Sequence, residues 1–327
     1  MRIAVTGSIA VDHLMVYPGR FADQLIPGQL DRVSLSFLAD ELEIRRGGVA
    51  ANIALGLGRL GVRPLLAGAV GADFAEYREW LHAHDVDTTL VLVSATLHTA
   101  RFVCTTDSDQ NQIATFYAGA MSAAREISLA PASADGPLDL VVVAPNDPAA
   151  MLRHTEECRT LGIPFAADPS QQLARLTGEE ARQLVDGARF LFTNEYEAAL
   201  LQQLTGWSEE DVLGRVGSWI TTLGPEGARI ARSGEPPQLI PSVPTTSIAD
   251  PTGAGDAFRS GFLAGVSWGW TPERAAQLGC AIATVVLESV GTQEYKLSAA
   301  DLTLRIENAY GPDAARDVEH RLQGSTT

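Results

Sequence analysis

Asp250-Pro251-Thr252-Gly253-Ala254-Gly255-Asp256-Ala257-Phe258-Arg259-Ser260-Gly261-Phe262 is the stretch whose reading decides the fold. Three small residues, two of them glycines, stand between two carboxylates at the head of an apolar helical pattern. Glycine lets a ligand come close to the backbone. The first N–H groups of a helix lack internal partners and lie at the positive end of the helix dipole. Together these features suit a phosphate or a developing negative charge. A carboxylate at Asp256 is unwelcome beside such an anion unless its task is to remove a proton. The expectation is a point where a phosphate donor meets a hydroxyl.

Outward from this stretch the chain reads as α/β. Residues 2–7 form a short buried strand closing on a glycine turn. Between 63 and 195 strands at 63–70, 138–144, 164–167 and 189–193 alternate with helices at 74–84, 147–161 and 178–187. That rhythm implies a mainly parallel sheet covered on both faces. After it come strands at 219–223, 228–232 and 238–240, then helices from 253, 272–288, 299–309 and 312–322, with a frayed end. Residues 13–46 and 98–118 differ. Val33-Ser34-Leu35-Ser36-Phe37-Leu38 and Leu42-Glu43-Ile44-Arg45 alternate, and strands at 99–106 and 112–117 flank the turn Asp107-Ser108-Asp109-Gln110-Asn111. These two insertions are expected to pair as a discontinuous β lid on a large domain made of 1–12, 47–97 and 119–327.

Bulk properties narrow the function. The 327 residues are 46% hydrophobic and 20% charged, so a packed core is expected. A net charge of −16 argues against nucleic acid and against an anionic membrane surface. It leaves open ATP, which can bind through amides and Mg²⁺. Cys104, Cys158 and Cys280 are far apart and lack CxxC spacing, so a reducing cytoplasm is expected rather than disulfides or zinc. Met1 runs straight into a strand without a signal-peptide pattern, and no apolar run is long enough to span a bilayer.

Several residues fall where an open α/β sheet binds ligands, beyond the carboxyl ends of strands. Ser8 and Asp12 follow the first strand; Asp12 reads either as a turn residue or as a substrate contact. Gly47-Gly48-Val49-Ala50-Ala51-Asn52 opens a helix running to about Gly61. Asn52 leans back toward that helix start and either faces solvent or meets a sugar diol. Asp168-Pro169-Ser170, Gln171, Gln172 and Arg175 lie at the same edge. Asn194 and Glu197 read first as a helix cap. Thr222-Leu223-Gly224-Pro225-Glu226-Gly227 is a glycine-rich turn, and no Walker A loop occurs.

With these motifs in order, the chain resembles the ribokinase/PfkB carbohydrate kinases over nearly its full length. Gly47 to Ala54, with Gly61 and Gly71, looks like the first family signature; Asp250 to Phe262 looks like the second; Asn194-x-x-Glu197 matches the metal-linked motif. Within the family it most resembles the actinobacterial adenosine kinases, on stretches such as 4–15, 34–38, 98–102, 167–176 and 287–294. The resemblance implies a three-layer α/β/α fold with a small β-sheet lid, and transfer of the γ-phosphoryl of ATP to the 5′-hydroxyl of adenosine. Asp256 would be the base, with the amides of Gly253, Ala254 and Gly255 as anion hole. Asp12, Gly48 and Asn52 would hold the ribose; Ser8, Ser36, Gln172 and Arg175 would surround the nucleoside. Phe102 and Phe116 would stack on the purine, or else form the lid's own core.

On the donor side, the resemblance assigns the nucleotide to Asn194, Thr222, Leu223, Gly224, Pro225, Glu226, Gly227 and Gly255. Glu197 would hold Mg²⁺ through water. Asp250, Thr252, Ser289 and Gly291 match a monovalent-cation site for K⁺. It also suggests a homodimer through the lid strands, in which Phe102 can serve the neighbouring pocket. Two other readings stand beside adenosine kinase: a sugar or other nucleoside kinase, and a nucleoside-binding sensor that has lost catalysis.

Overall fold

The computed structural model describes residues 1–25, 34–134 and 136–323. Its strands, numbered along the chain, are β1 Ile3–Thr6, β2 Ala10–Val16, β3 Glu41–Gly47, β4 Leu65–Gly71, β5 Asp87–Ser94, β6 Ala100–Thr106, β7 Gln112–Tyr117, β8 Leu140–Val143, β9 Phe165–Ala167, β10 Phe190–Asn194, β11 Ser218–Thr222, β12 Ala228–Ala231 and β13 Gln238–Ile240. One sheet runs β13-β12-β11-β10-β9-β8-β1-β4-β5; the second runs β3-β2-β6-β7. From β5 to β11 every neighbouring pair is parallel, and β12 and β13 add antiparallel strands at one edge.

The large sheet is buried on both faces, and its residues alternate between two cores. Ile3, Val5, Leu140, Val142, Phe190, Phe192 and Ile220 face one core, which also holds the helices Val49–Arg59, Ala254–Ser267 and Pro272–Leu287. Ala4, Val141, Val143, Leu191 and Trp219 face the other, with the helices Pro148–Leu161, Gly178–Val185 and Glu195–Thr205. This is a three-layer α/β/α sandwich, as expected. Small residues set the closest helix crossing: a Cβ on Gly261 would lie 2.8 Å from the Cα of Gly279.

β1 has β4 on one side and β8 on the other, so the sheet reverses its winding there. A crevice opens at the carboxyl ends of strands at such a point. The small sheet is rooted at this edge. β2 starts just past β1, and β3 ends at Gly47, one residue before the helix-opening Gly48.

Two expectations about elements need correction. Ser34 to Leu38 forms no strand; it alternates in exposure but makes no ladder, while Phe37 packs on Tyr17 and Phe21. Val33 and the C-terminal residues 324–327 lie outside the described residues. β2 and β5 had no counterpart in the expected elements, although Ala10–Val16 joins the small sheet and carries Asp12 into it, and Asp87–Ser94 closes the parallel edge. The hairpin turn behaves as its polar composition implied. The Asp107 carboxylate accepts N–H bonds from Asp109 and Asn111 at 2.9 and 2.8 Å, and from Phe21 at 2.9 Å. No helix among the described residues is long and apolar enough to cross a membrane.

Candidate active site

The helix Ala254–Ser267 begins inside the glycine-rich stretch. Gly253 is its N-cap at φ 81°, in the left-handed region that disfavours a β-carbon. No side chain caps this end. The N–H groups of Gly253, Gly255 and Asp256 have no partner among the described residues, and that of Ala254 reaches Pro251 O only at 3.4 Å. A cluster of unspent donors at a helix start is a ready anion site.

Asp256 stands in this first turn. Asn52 Nδ2 donates to its Oδ2 at 2.8 Å. Asn52 is buried, and its Oδ1 accepts from Thr292 Oγ1 at 3.1 Å and Gln293 Nε2 at 2.8 Å. Gln293 also donates to Tyr77 Oη at 2.5 Å and accepts from Trp80 Nε1 at 3.1 Å. These bonds fix the amide of Asn52 so that its NH₂ faces the carboxylate. Burial pushes the Asp256 carboxyl up to about 6; the Arg259 guanidinium and the Asn52 bond oppose that rise. The group is ionised at neutral pH yet ready to take a proton, as a general base must be.

The neighbouring charges form a buried cluster. Arg259 contacts both oxygens of Asp168, Nη2 to Oδ1 and Nε to Oδ2, each at 2.6 Å. Glu197 is buried and closes a capping box: its Oε2 accepts from Asn194 N–H at 2.8 Å, and Asn194 Oδ1 accepts from Glu197 N–H at 2.8 Å. The structural role anticipated for this pair is therefore present. The other oxygen of Glu197 stays nearly unspent, with Ser170 Oγ at 3.4 Å. Asn194 lies opposite Thr222 at the ends of β10 and β11. The turn after β11 leaves Gly224, Pro225 and Glu226 exposed, and Gly227 at φ 99° leaves no space for a side chain.

On the small sheet, Arg45, Asp12, Phe102 and Phe116 occupy one row across its four strands. Directly opposed residues share a face, so Asp12 and both rings look the same way. Burial raises the Asp12 carboxyl to about 6, Arg45 draws it down, and Glu294 pushes it up. Gly48 sits at φ 95°, and a Cβ there would lie 2.6 Å from both Ala10 N and Ser8 O. The Ser8 hydroxyl accepts the first amide of the next helix, Val49 N–H, at 3.0 Å.

Comparison with known proteins fits this geometry. Residues 5–299 match the model of the pfkB family carbohydrate kinases. The chain belongs to that family. A nucleoside kinase of Methanocaldococcus jannaschii is 31% identical over 249 residues, covering 76% of this chain and 80% of that protein. The structure of a Burkholderia thailandensis nucleoside kinase in complex with inosine has a TM-score of 0.82 and 34% identity, covering 95% of this chain and 98% of that one. The same kinase has been seen in complex with ADP-inosine, at a TM-score of 0.79. This pfkB-family protein is an ATP-dependent phosphotransferase with the ribokinase-like fold.

The kinase brings Ser8, Gly48, Asn52 and Asp256 together around the first turns of two helices, and Asp12 beside Gly47, where a Cβ would lie 2.8 Å from its Oδ2. Gln172 is buried with its Oε1 unpartnered among the described residues. Ser36 and Arg175 are exposed, and no hydrogen bond ties either to those residues. Phe116 is 51% exposed, so it is not the core of its own sheet; that small core is Ala10, Ala100 and Met121. Asp250 accepts N–H bonds from Thr252 at 2.9 Å and Gly291 at 3.1 Å, and Arg45 Nη1 lies 3.5 Å from it. Sequence reading passed over Arg259, Gln293 and Tyr77. A charged residue on the otherwise apolar face of 257–266 was the available signal for Arg259.

Proposed function

We propose that this enzyme is a purine nucleoside kinase that phosphorylates the 5′-hydroxyl of adenosine, giving AMP and ADP. The observation that carries this reading is the Asp256 carboxylate, oriented by Asn52 beside the unpartnered amides of the helix start. Asp256 removes the hydroxyl proton as the oxygen attacks the γ-phosphorus. The P–O bond to the β-phosphate breaks, and its electron pair leaves with ADP. The amides at Gly253 to Asp256 meet the charge on the transferring group, where preorganised donors contribute most. Asp12, Gly48 and Asn52 hold the ribose.

Phe102 and Phe116 support a nucleoside over a free sugar. They are directly opposed, share a face with Asp12, and neither stacks on another ring among the described residues. A purine has the flat surface that such rings cover. The inosine bound by the Burkholderia kinase favours a wider purine range as a second reading. The lid role of the small sheet follows from its roots at the ligand edge, since transfer must exclude water. The three cysteines are free and buried, which suits the cytoplasm.

The donor nucleotide lies along Asn194 and Thr222 to Gly227. Glu197 Oε1 would hold Mg²⁺ through water, because its carboxylate is buried and has one oxygen nearly unspent. The ion, when bound, neutralises phosphate charge. The surroundings of Asp250 do not fit K⁺: its oxygens face two N–H donors and a guanidinium, so no step is assigned to that ion.

A substrate panel with ATP and Mg²⁺ tests the reading. Adenosine is expected to exceed ribose in kcat/KM, and ribose exceeding adenosine rejects it. Asp256→Asn is expected to lower kcat by at least about 1,000-fold with nucleoside affinity retained. Loss of binding at unchanged kcat would remove Asp256 from the role of base.

A further inference from the structure

Arg259 is ion-paired with Asp168, and the carboxylates of Asp256 and Glu197 also favour its charged form against the cost of burial. A chain of net charge −16 must bring a polyphosphate to this place. Arg259 leaves the helix four residues after Gly255. Helical side chains lean toward the N-terminus, so the guanidinium runs back over the first turn. A Cβ on Gly255 would lie 2.9 Å from Arg259 Nη1. The guanidinium thus lies against the backbone of the second glycine of the stretch.

The guanidinium is firmly held. Arg259 is 6% exposed, its Nε and Nη2 are both 2.6 Å from Asp168 oxygens, and its Cζ lies 5.6 Å from the Phe192 ring centre. Nη1 has no hydrogen-bond partner among the described residues, and it is the nitrogen beside Gly255, whose own N–H is also unpartnered. Nε, though 2.6 Å from Asp168 Oδ2, makes no hydrogen bond of good geometry and is fully buried, whereas Nη1 is not among the fully buried unpartnered atoms and so is open to a ligand.

We propose that Arg259 Nη1 binds a nonbridging oxygen of the phosphoryl group during transfer. One helix then supplies the amides, the base and the cation, and Asp168 holds the guanidinium in place. The inference rests on the phosphotransfer read above but not on which acceptor is used.

The test separates Arg259 from its partner's charge. Arg259→Gln combined with Asp168→Asn removes the closest pair; because Arg259 also lowers the Asp256 carboxyl, kcat is compared on the alkaline plateau of each protein's pH profile, where the base is ionised in both. Measured on the whole enzyme are kcat, nucleoside binding by calorimetry, and binding of ADP with aluminium fluoride to the nucleoside-loaded protein. The double variant is expected to bind nucleoside within about threefold of the parent, to lose at least about 100-fold in kcat, and to lose the tight fluoride complex. Added guanidinium ion should restore part of the rate. Arg259→Lys keeps a charge and answers if the double variant does not fold; one ammonium cannot serve both Asp168 and the phosphoryl, so at least about a tenfold loss is expected. A kcat within about threefold of the parent in the variant that folds, or equal losses in kcat and nucleoside affinity, overturns the proposal. If the parent turns over a sugar and no nucleoside, the acceptor reading fails, and the same variants on that sugar still decide the role of Arg259.

Discussion

Asp256 answers two opposed demands, and pH separates them. Burial raises its carboxyl to about 6, while Arg259 and Asn52 pull it down. Only the ionised form accepts a proton, so kcat is expected to fall as pH drops through about 6. Asn52→Ala removes one of the opposing contributions, so its acid limb should move to higher pH; an unmoved limb would remove Asn52 from the positioning of the base. Stability has the opposite sense. The folded carboxyl binds its proton more tightly than the unfolded chain, whose ordinary value is 3.8. The stability this lends is complete below that value and is lost as pH rises through about 6. Asp256→Asn should therefore raise Tm at pH 8 and leave it nearly unchanged at pH 4, as scanning calorimetry will show. The pair Asp256 and Asn52 was legible in sequence because each sits in a glycine-framed helix start. What holds them was not: Gln293 lies 241 residues from Asn52, and Asp168 lies 91 from Arg259. Single residues at such separations carry no local pattern.

At the scale of elements, a capping box and the proposed metal contact fall on one side chain. Glu197 closes the start of the helix Glu195–Thr205 through Oε2 and leaves Oε1 with only Ser170 Oγ near it, at 3.4 Å. The two tasks come apart by substitution. Glu197→Gln keeps an acceptor for the Asn194 amide, so Tm should hold while the KM for Mg·ATP rises and kcat falls. Glu197→Ala loses the cap as well and should cost about 1 kcal/mol in denaturant unfolding. Equal kinetics for Glu197→Gln and the parent would leave Glu197 as a cap alone. Elements whose own chemistry fixed them were readable, including this helix, the Asp107 turn and the buried runs of β8 and β10. Ser34 to Leu38 alternates like a strand, but no neighbour among the described residues offers it a ladder, and its phenyl packs on Tyr17 and Phe21 instead. Pairing partners decide such cases, and a lone segment does not reveal them.

For the whole molecule, the small sheet leaves one face to account for. Asp12, Phe102 and Phe116 share one side. On the opposite side, Leu42, Ile44, Ile113 and Tyr117 are 59%, 59%, 47% and 42% exposed. Among the described residues β3 and β7 also end the sheet without a further strand beside them. An apolar face and open edges on one small sheet suit a second copy of this chain, and a homodimer through the small sheets is the expected assembly. Two bodies of charge −16 repel, so the apolar face must outweigh that repulsion. Association should accordingly tighten as salt rises from about 50 mM to about 500 mM, because screening weakens repulsion without weakening apolar burial. Sedimentation velocity should show a dimer at micromolar concentration. Ile44→Arg should give a monomer of unchanged fold, because its side chain is exposed and absent from the described cores. A parent protein that sediments as a monomer at both salt concentrations would refute the dimer, and an Ile44→Arg variant that stays dimeric would move the interface to another face.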